Sequence, residues 1–404
     1  MRIAQISPLY VPVPPTDYGG TERIVYTLTE ELVKRGHDVT LFAAAGSKTS
    51  ARLMESAPEP LWEGGGSDLN WHAVEIETLI RQSGEFDVIH SHIDVLPWLG
   101  GERYRSPLVT TLHGRLDLGE QRAWLTRFPG WPLVSISDAQ RRPVRDLELR
   151  WAATVYHGLP LDEMYNLGDG SGGYLAFVSR MAPEKGPDVA IRVAKRAGMK
   201  LVMAGPVPDD SAEWFKSEIE PLIDKDGVEY VGTLDDEGKN EVIGKAAGFL
   251  VPIQWDEPFG LAFIEALATG TPVISCPRGS LPELIENGKH GFLASKEDEL
   301  VEACGKVGGL DRAELRRYVL ERFSPEHMAA AYERVYSSLV HRTGSTRSRH
   351  MATTKQRTAA KRNIKKASTA AKKKQTISKL PKSTRTKLGK QANKVKKQKS
   401  SGSR

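Results

Sequence analysis

Two glutamates, Glu257 and Glu265, stand eight residues apart in Asp256-Glu257-Pro258-Phe259-Gly260-Leu261-Ala262-Phe263-Ile264-Glu265. The first falls in a Pro/Gly loop, the second in the short apolar helix that the next residues predict. Paired carboxylates can do acid–base work, glycoside hydrolysis included, and can accept hydrogen bonds from polyol hydroxyls. Glutamate is common, so the spacing alone decides nothing; the frame around it does. A loop that ends at Pro258-Phe259-Gly260 and opens a helix leaves the backbone N–H groups of Phe259 and Gly260 without intrahelical partners. That is a site for an anion or a sugar hydroxyl.

A second pair is cationic. Arg180 and Lys185, in Phe177-Val178-Ser179-Arg180-Met181-Ala182-Pro183-Glu184-Lys185-Gly186, follow a predicted strand and precede a predicted helix. Both can lean over the strand end, where they would neutralise a diphosphate; a solvated surface pair is the ordinary alternative. Gly19 and Gly20 follow the first predicted strand and precede a helix, so a phosphate can approach the backbone there. A Gly-Gly turn is by itself mostly a turn. It is neither a P-loop nor a G-x-G-x-x-G fingerprint, so an ATPase or a dehydrogenase is not supported.

His113 ends a strand in Thr110-Thr111-Leu112-His113-Gly114, although a lone histidine is more often structural. His90 and His92, at i,i+2 spacing near another strand end, would suit a metal only with further ligands, and no Cys or carboxylate set completes them. They are read as cleft-lining or structural. Ser137 and His157 are further cleft candidates. No Asp-x-Asp stands at a strand end; Asp209-Asp210 and Asp235-Asp236 read as loop and cap residues. No Gly-x-Ser-x-Gly or Cys–His set supports a hydrolase.

The elements that must hold these residues alternate. Strands are predicted at 2–7, 38–42, 86–89, 108–112 and 133–136, with a helix carrying Ile24, Val25, Leu28, Leu32 and Val33 and stopped by Gly36. After the Gly/Ser break at 168–173 the pattern restarts. Strands are predicted at 174–179, 200–204, 229–232, 248–253 and 272–275, and a helix at 187–197. Alternating strands and helices imply parallel sheets covered on both faces. The reading is α/β: one domain over 1–160, a second over 161–323, and a helix over 324–342 capped by Ser324 with Pro325 at its first position. Ligands of such sheets sit at the carboxyl ends of the strands, so two facing sheets place a site in the cleft between them.

The glutamate frame with its Gly270-Thr271-Pro272-Val273, the Arg-x4-Lys-Gly element and the glycine loop together resemble the retaining nucleotide-sugar glycosyltransferases of family 4. The resemblance covers about residues 1–340. It implies the GT-B fold, two facing doubly wound Rossmann-like domains with the last helix returning to the first. It implies transfer of a hexose from a nucleoside-diphosphate sugar (UDP-glucose first, GDP-mannose next) to a hydroxyl of a small-molecule, lipid or glycan acceptor, with no metal or other cofactor. Arg180 and Lys185 would contact the leaving phosphates, and Gly19 and Gly20 would approach them. Glu257, with the Phe259 and Gly260 backbone, would hold the donor sugar, Glu265 the ribose, and His113 a sugar hydroxyl or the transferring group. Ser137 would face the cleft and His157 would come near the nucleotide. A glycosidase would also use two carboxylates, but rarely beside a phosphate-neutralising cation pair. An epimerase or a phosphorylase of the same fold is the more distant alternative. The 112–118 segment is similar to bacterial enzymes that glucosylate small soluble acceptors such as pterins.

Charge divides the chain. Of 57 lysines and arginines, 21 lie in residues 343–404, which contain no Asp or Glu, leaving 36 basic against 51 acidic residues elsewhere. The net charge of +6 therefore describes the tail and not the enzyme body. Lacking Phe, Trp and Tyr, the tail is expected to be disordered, with at most transient helix. From Met351 to Lys355 it reads like the start of a small, histone-like basic protein joined to the enzyme. Its expected partners are nucleic acid, bound non-specifically, or an anionic membrane; a nucleic-acid-binding protein acting through this tail is the rival function, and an inert appendage the plain alternative. The N-terminus has no signal-peptide layout, and no apolar run of 18 residues exists. The two cysteines, Cys276 and Cys304, suit a reducing cytoplasm, the expected location, whether free there or peripheral to a membrane or nucleic acid.

Overall fold

The computed structural model describes residues 1–16, 19–64, 68–224 and 226–350, with side chains to residue 341 apart from 63 and 64. The expectations for residues 351–404 lie outside the described residues.

Residues 1–340 form one compact unit containing two parallel sheets. The first holds β1 (Arg2–Ile6), β2 (Asp38–Ala44), β3 (Arg52–Ala57), β4 (Val88–Ser91), β5 (Leu108–Leu112), β6 (Leu133–Ser135) and β7 (Trp151–Thr154). Their spatial order is β3-β2-β1-β4-β5-β6-β7. The second holds β8 (Tyr174–Val178), β9 (Lys200–Ala204), β10 (Val228–Tyr230), β11 (Gly248–Leu250), β12 (Val273–Ser275) and β13 (Gly291–Leu293), in the order β10-β9-β8-β11-β12-β13. Each order reverses once, between β1 and β4 and between β8 and β11, which is the doubly wound arrangement with its ligand crevice at the reversal. The α/β class and two-domain GT-B architecture expected from the sequence are therefore present. The central strands are buried on both faces along nearly their whole length, as helix-covered parallel strands must be, and β1, β4 and β5 carry buried polar residues within them.

Three strands, β3, β7 and β13, were absent from the sequence expectation. All three are sheet edges, and their half-exposed, mixed sequences lack the buried run that marks a central strand. Helix α1 (Gly20–Lys34) follows β1, α2 (Pro187–Ala197) follows β8, and α3 (Leu261–Ala268) follows β11. Helices α4 (Arg312–Arg322) and α5 (Pro325–His350) end the described chain. The Ser324 hydroxyl accepts from the His327 amide at 3.3 Å, so it caps α5 as its sequence suggested. Tyr332 and Tyr336 of α5 are fully buried, and Glu333 binds Arg35 at 2.7 Å and His37 at 2.8 Å, fixing the helix to the first domain. Helix α5 is described as far as His350, seven residues beyond 343, where the tail was expected to begin.

Arg312, the first residue of α4, joins the segments beneath the second domain. Its guanidinium donates to the carbonyls of Gly168 at 2.9 Å, Gly244 at 2.8 Å and Ala246 at 3.1 Å, and to the Thr271 hydroxyl at 2.7 Å. Gly244 belongs to the last turn of the helix Asp236–Lys245, where a cation also meets the negative end of the helix dipole. Arg312→Met should strand these carbonyls and lower stability by roughly 2–4 kcal/mol, read as a shift in the urea midpoint. A midpoint unchanged by that substitution would show that water satisfies the carbonyls equally well.

Candidate active site

A cavity of about 670 Å³ lies between the carboxyl ends of the two sheets. The first domain lends it Tyr10, the Gly19–Glu22 turn, His92, Asp94 and His113; the segment joining the domains lends His157; the second domain lends Glu257 to Leu261. The two sides come close at its rim, where a Cβ added to Gly20 would stand 3.6 Å from the Leu261 side chain. Gly19 has no room for any side chain: a Cβ there would meet Pro15 at 2.8 Å and Val11 at 2.9 Å. The glycine loop is thus a packing requirement in its own right.

The second-domain wall is braced from behind. Gly260 sits at φ 92°, left-handed backbone that favours glycine, and starts α3. Ser280 donates its amide to the Glu257 carbonyl at 2.9 Å and its hydroxyl to the Phe259 carbonyl at 2.6 Å. Gly279 packs so tightly that a Cβ would fall 2.2 Å from the Glu257 carbonyl oxygen. The Glu257 carboxylate accepts from Lys185 Nζ at 2.5 Å and from Trp255 Nε1 at 3.2 Å, and Lys185 Nζ lies 4.7 Å from the Trp255 ring centre. Lys185 and Glu257, 72 residues apart, are one unit.

Four predicted site residues do not line this cavity: Lys185 lies behind Glu257, and Arg180, Glu265 and Ser137 are held elsewhere. Arg180 pairs with Glu184 of its own loop at 2.8 Å and is half-exposed. Glu265 is buried in α3 beside Tyr165, Arg23 and Lys239, and burial raises its pKa. Nearby, Arg23 of α1 binds Asp236 of the second domain at 2.7 Å. Ser137 also has a bridging position: its hydroxyl donates to the Pro258 carbonyl at 2.6 Å, from one domain to the other. Beside it, Glu283 accepts from the amides of Asp138 and Ala139 at 2.9 and 2.6 Å and from the Tyr156 hydroxyl at 3.0 Å.

The histidines form a continuous buried chain. Gln5 Oε1 accepts from His92 Nε2 at 2.9 Å, so His92 carries its proton there. A neutral His92 then accepts at Nδ1, 2.9 Å from His113 Nε2, which must be the donor. His113 is left with an unprotonated Nδ1. Gln5 Nε2 donates to the Tyr336 hydroxyl at 3.2 Å, Tyr336 donates to His90 Nδ1 at 2.7 Å, and His90 Nε2 donates to Thr111 at 2.7 Å. Both nitrogens of His90 and of His92 are thereby occupied, so these two act structurally. His113 stacks on His157 at 5.2 Å, and His157 meets the edge of Phe259 at 4.8 Å. His157 Nδ1 is buried without a hydrogen-bond partner among the described residues.

Burial lowers the pKa of all four rings, that of His113 to about 3. Burial raises two carboxylates on the cavity wall, Glu22 to about 7 and Asp94 to about 6. Neither was anticipated from the sequence, nor were Tyr10, Trp62, Trp255 and Glu283. Asp94 alone had a usable signal, since it lies just past the end of β4.

Two family models match the chain: "Glycosyltransferase Family 4" over residues 18–160 and "Glycosyl transferases group 1" over residues 168–318. The chain is a family-4-like glycosyltransferase. A D-inositol 3-phosphate glycosyltransferase from Mycolicibacterium smegmatis is 27% identical over 374 residues, covering 78% of this chain and 83% of the relative. The same fold occurs in a sucrose-phosphate synthase from Thermosynechococcus elongatus, with a TM-score of 0.68 at 20% identity over 84% of this chain and 98% of that one. It occurs also in Anabaena HepE solved with UDP and glucose, with a TM-score of 0.66 at 18% identity over 83% and 99%. The sucrose-phosphate synthase and HepE show the shared architecture alone. Among the described residues, no helix of this glycosyltransferase is long and apolar enough to cross a membrane.

The buried imidazoles set an acid limit. Each stays neutral in the fold, while the unfolded chain binds protons below about pH 6.5. Their stabilisation is complete above that pH and is lost as pH falls, by up to about 1.4 kcal/mol per ring per pH unit. Glu22, Asp94, Glu75 and Glu265, whose pKa values burial raises, oppose the drift, so the test reads a difference. Between about pH 7.5 and 5.5, His157→Asn should lose less stability to urea than the parent does. Equal losses in both would show that His157 titrates normally in the fold.

Proposed function

We propose that this glycosyltransferase moves a hexose from a nucleoside-diphosphate sugar, UDP-glucose first and GDP-mannose next, to a polyol hydroxyl with retention at the anomeric carbon. The observation that carries this reading is Glu257 on the cavity wall paired with Lys185 directly behind it, the loop braced by Trp255 and Ser280. Glu257 accepts the donor sugar's hydroxyls, with the Phe259 and Gly260 backbone beside it. Lys185, directly behind, supplies positive charge as the diphosphate departs, joined by Arg180, so that no divalent metal is required. Such charge, organised before the reaction begins, stabilises the negative charge that develops on the leaving diphosphate while the sugar becomes oxocarbenium-like. His113 Nδ1, fixed as an acceptor by the chain through His92 and Gln5, takes a sugar hydroxyl. Glu265 lies ready for the ribose once the Arg23 cluster beside it rearranges.

The bond from the anomeric carbon to the diphosphate oxygen breaks while the acceptor oxygen bonds to the same face. The departing phosphate oxygen takes the acceptor's proton. No side chain needs to act as nucleophile, and the neutral His113 is not required as a base. The M. smegmatis relative is named for an inositol 3-phosphate, whose carbon frame is a cyclic polyol.

Lys185→Ala should lower kcat by roughly 10²–10³-fold, the usual effect of removing one preorganised charge contact. Lys185→Arg should recover part of that loss, and the melting temperature of both variants separates chemistry from folding. Turnover of Lys185→Ala within about threefold of the parent would exclude the assignment. Binding of UDP-glucose measured by calorimetry tests the donor directly; tight binding of GDP-mannose instead would exchange the base and sugar while keeping the mechanism.

The basic tail stands apart from this chemistry. A chain ending at His350, where α5 ends, should retain full turnover on a soluble acceptor. Loss of turnover in that chain would give the tail a catalytic role.

A further inference from the structure

The acceptor side of the cavity has a definite charge character. Its walls include Tyr10, Glu22, Trp62, His72, Asp94 and Gln121, and no lysine or arginine lines the cavity among the described residues. The nearby basic groups have their own partners. Arg23 binds Asp236, Arg115 binds Asp117, Arg122 binds Asp146, and Lys185 binds Glu257. The histidines on the wall stay neutral, held so by burial.

A phosphate group entering this wall would lose water and gain no counter-charge, beside two carboxylates. Buried charge without a partner is strongly disfavoured. An uncharged polyol meets the opposite conditions. Asp94, which accepts from Gln121 Nε2 at 3.4 Å, retains acceptor capacity for hydroxyl donors. Tyr10 and Trp62, with ring centres 5.7 Å apart and tilted by 33°, offer an apolar face to the C–H side of a sugar ring.

We propose that the acceptor is an uncharged polyhydroxylated ring, a free saccharide or cyclitol, bound between the Tyr10–Trp62 face and the Asp94 carboxylate, and that phosphorylated acceptors are rejected. The inference deepens the transfer reading and rests on it for the step that follows binding. It separates this chain from a relative named for a phosphorylated inositol.

The test uses the full chain and no donor. Ligand-observed NMR compares two matched pairs, methyl α-glucopyranoside with glucose 6-phosphate, and myo-inositol with its 3-phosphate. The neutral member of at least one pair should bind about tenfold or more tightly than its phosphate. Asp94→Asn should narrow that gap, and Trp62→Ala should weaken the neutral member with little change in its selectivity. Equal or tighter binding of the phosphates overturns the proposal, as does failure of both neutral probes to bind. UDP-glucose calorimetry on the same protein reports on the donor separately. Lost donor binding with the neutral preference retained would sink the donor assignment and leave the acceptor site standing.

Discussion

Four neutral imidazoles buried in one connected chain constrain most of this molecule. His90 and His92 find both a donor and an acceptor in fixed places, from β1, β5, His113 and the C-terminal helix, while His113 keeps Nδ1 open and His157 is held by stacking. Gln5 is the pivot, since its amide has one end of each kind and so orients the chain in both directions. Tyr332 and Tyr336 are therefore more than apolar mass beneath the first domain. Their hydroxyls end a hydrogen-bonded path that begins at His113, on the wall of the cavity. A helix distant in sequence thus helps to set which nitrogen of His113 bears the proton.

From His113 the constraint passes by stacking instead of hydrogen bonding. His157, in the segment between the domains, lies flat on His113 and meets Phe259 of the second domain edge-on. Around that contact, Ser137 reaches the Pro258 carbonyl and Glu283 covers the amides at Asp138 and Ala139. These contacts hold loops rather than sheet cores, and each is one or two hydrogen bonds. These polar contacts at the strand ends add to one apolar cluster that continues from the first domain to the second through Val155, Phe259, Phe323 and Tyr332.

What was legible in the sequence follows from where each signal is stored. The helix Pro187–Ala197 and the strands Lys200–Ala204 and Leu108–Leu112 were read to the residue, because glycine, proline and apolar runs mark them locally. Three of the four edge strands, β3, β7 and β13, were not, since half-exposed residues such as Arg52, Glu55 and Thr154 carry no period that separates them from loops. The same division holds for the site. Lys185 and Glu257 each lie in a contiguous, recognisable segment, and their pairing at 2.5 Å joins two signals already visible. Tyr10, Trp62 and Asp94 come from three separate loops, and nothing within any one loop says that the others will face it. Ser137 was placed at the cleft from its resemblance to a family serine, but its bond to the Pro258 carbonyl exists only in three dimensions.

The distribution of charge within the cavity then divides the work between the domains. Positive charge belongs to the second domain, where Lys185 is held behind a carboxylate and Arg180 lies on the same loop. The first domain contributes carboxylates, neutral rings and aromatic faces, groups that hold hydroxyls and offer nothing to a phosphate. An enzyme that separates a negatively charged leaving group from a neutral nucleophile benefits from that asymmetry. The field that stabilises the departing diphosphate does not then attract a second anion into the acceptor's place, and a free phosphate compound gains little by entering. The selectivity proposed here needs no shape-specific contact beyond Asp94 and the Tyr10–Trp62 face, because among the described residues no cation lines a wall whose histidines are kept neutral by burial.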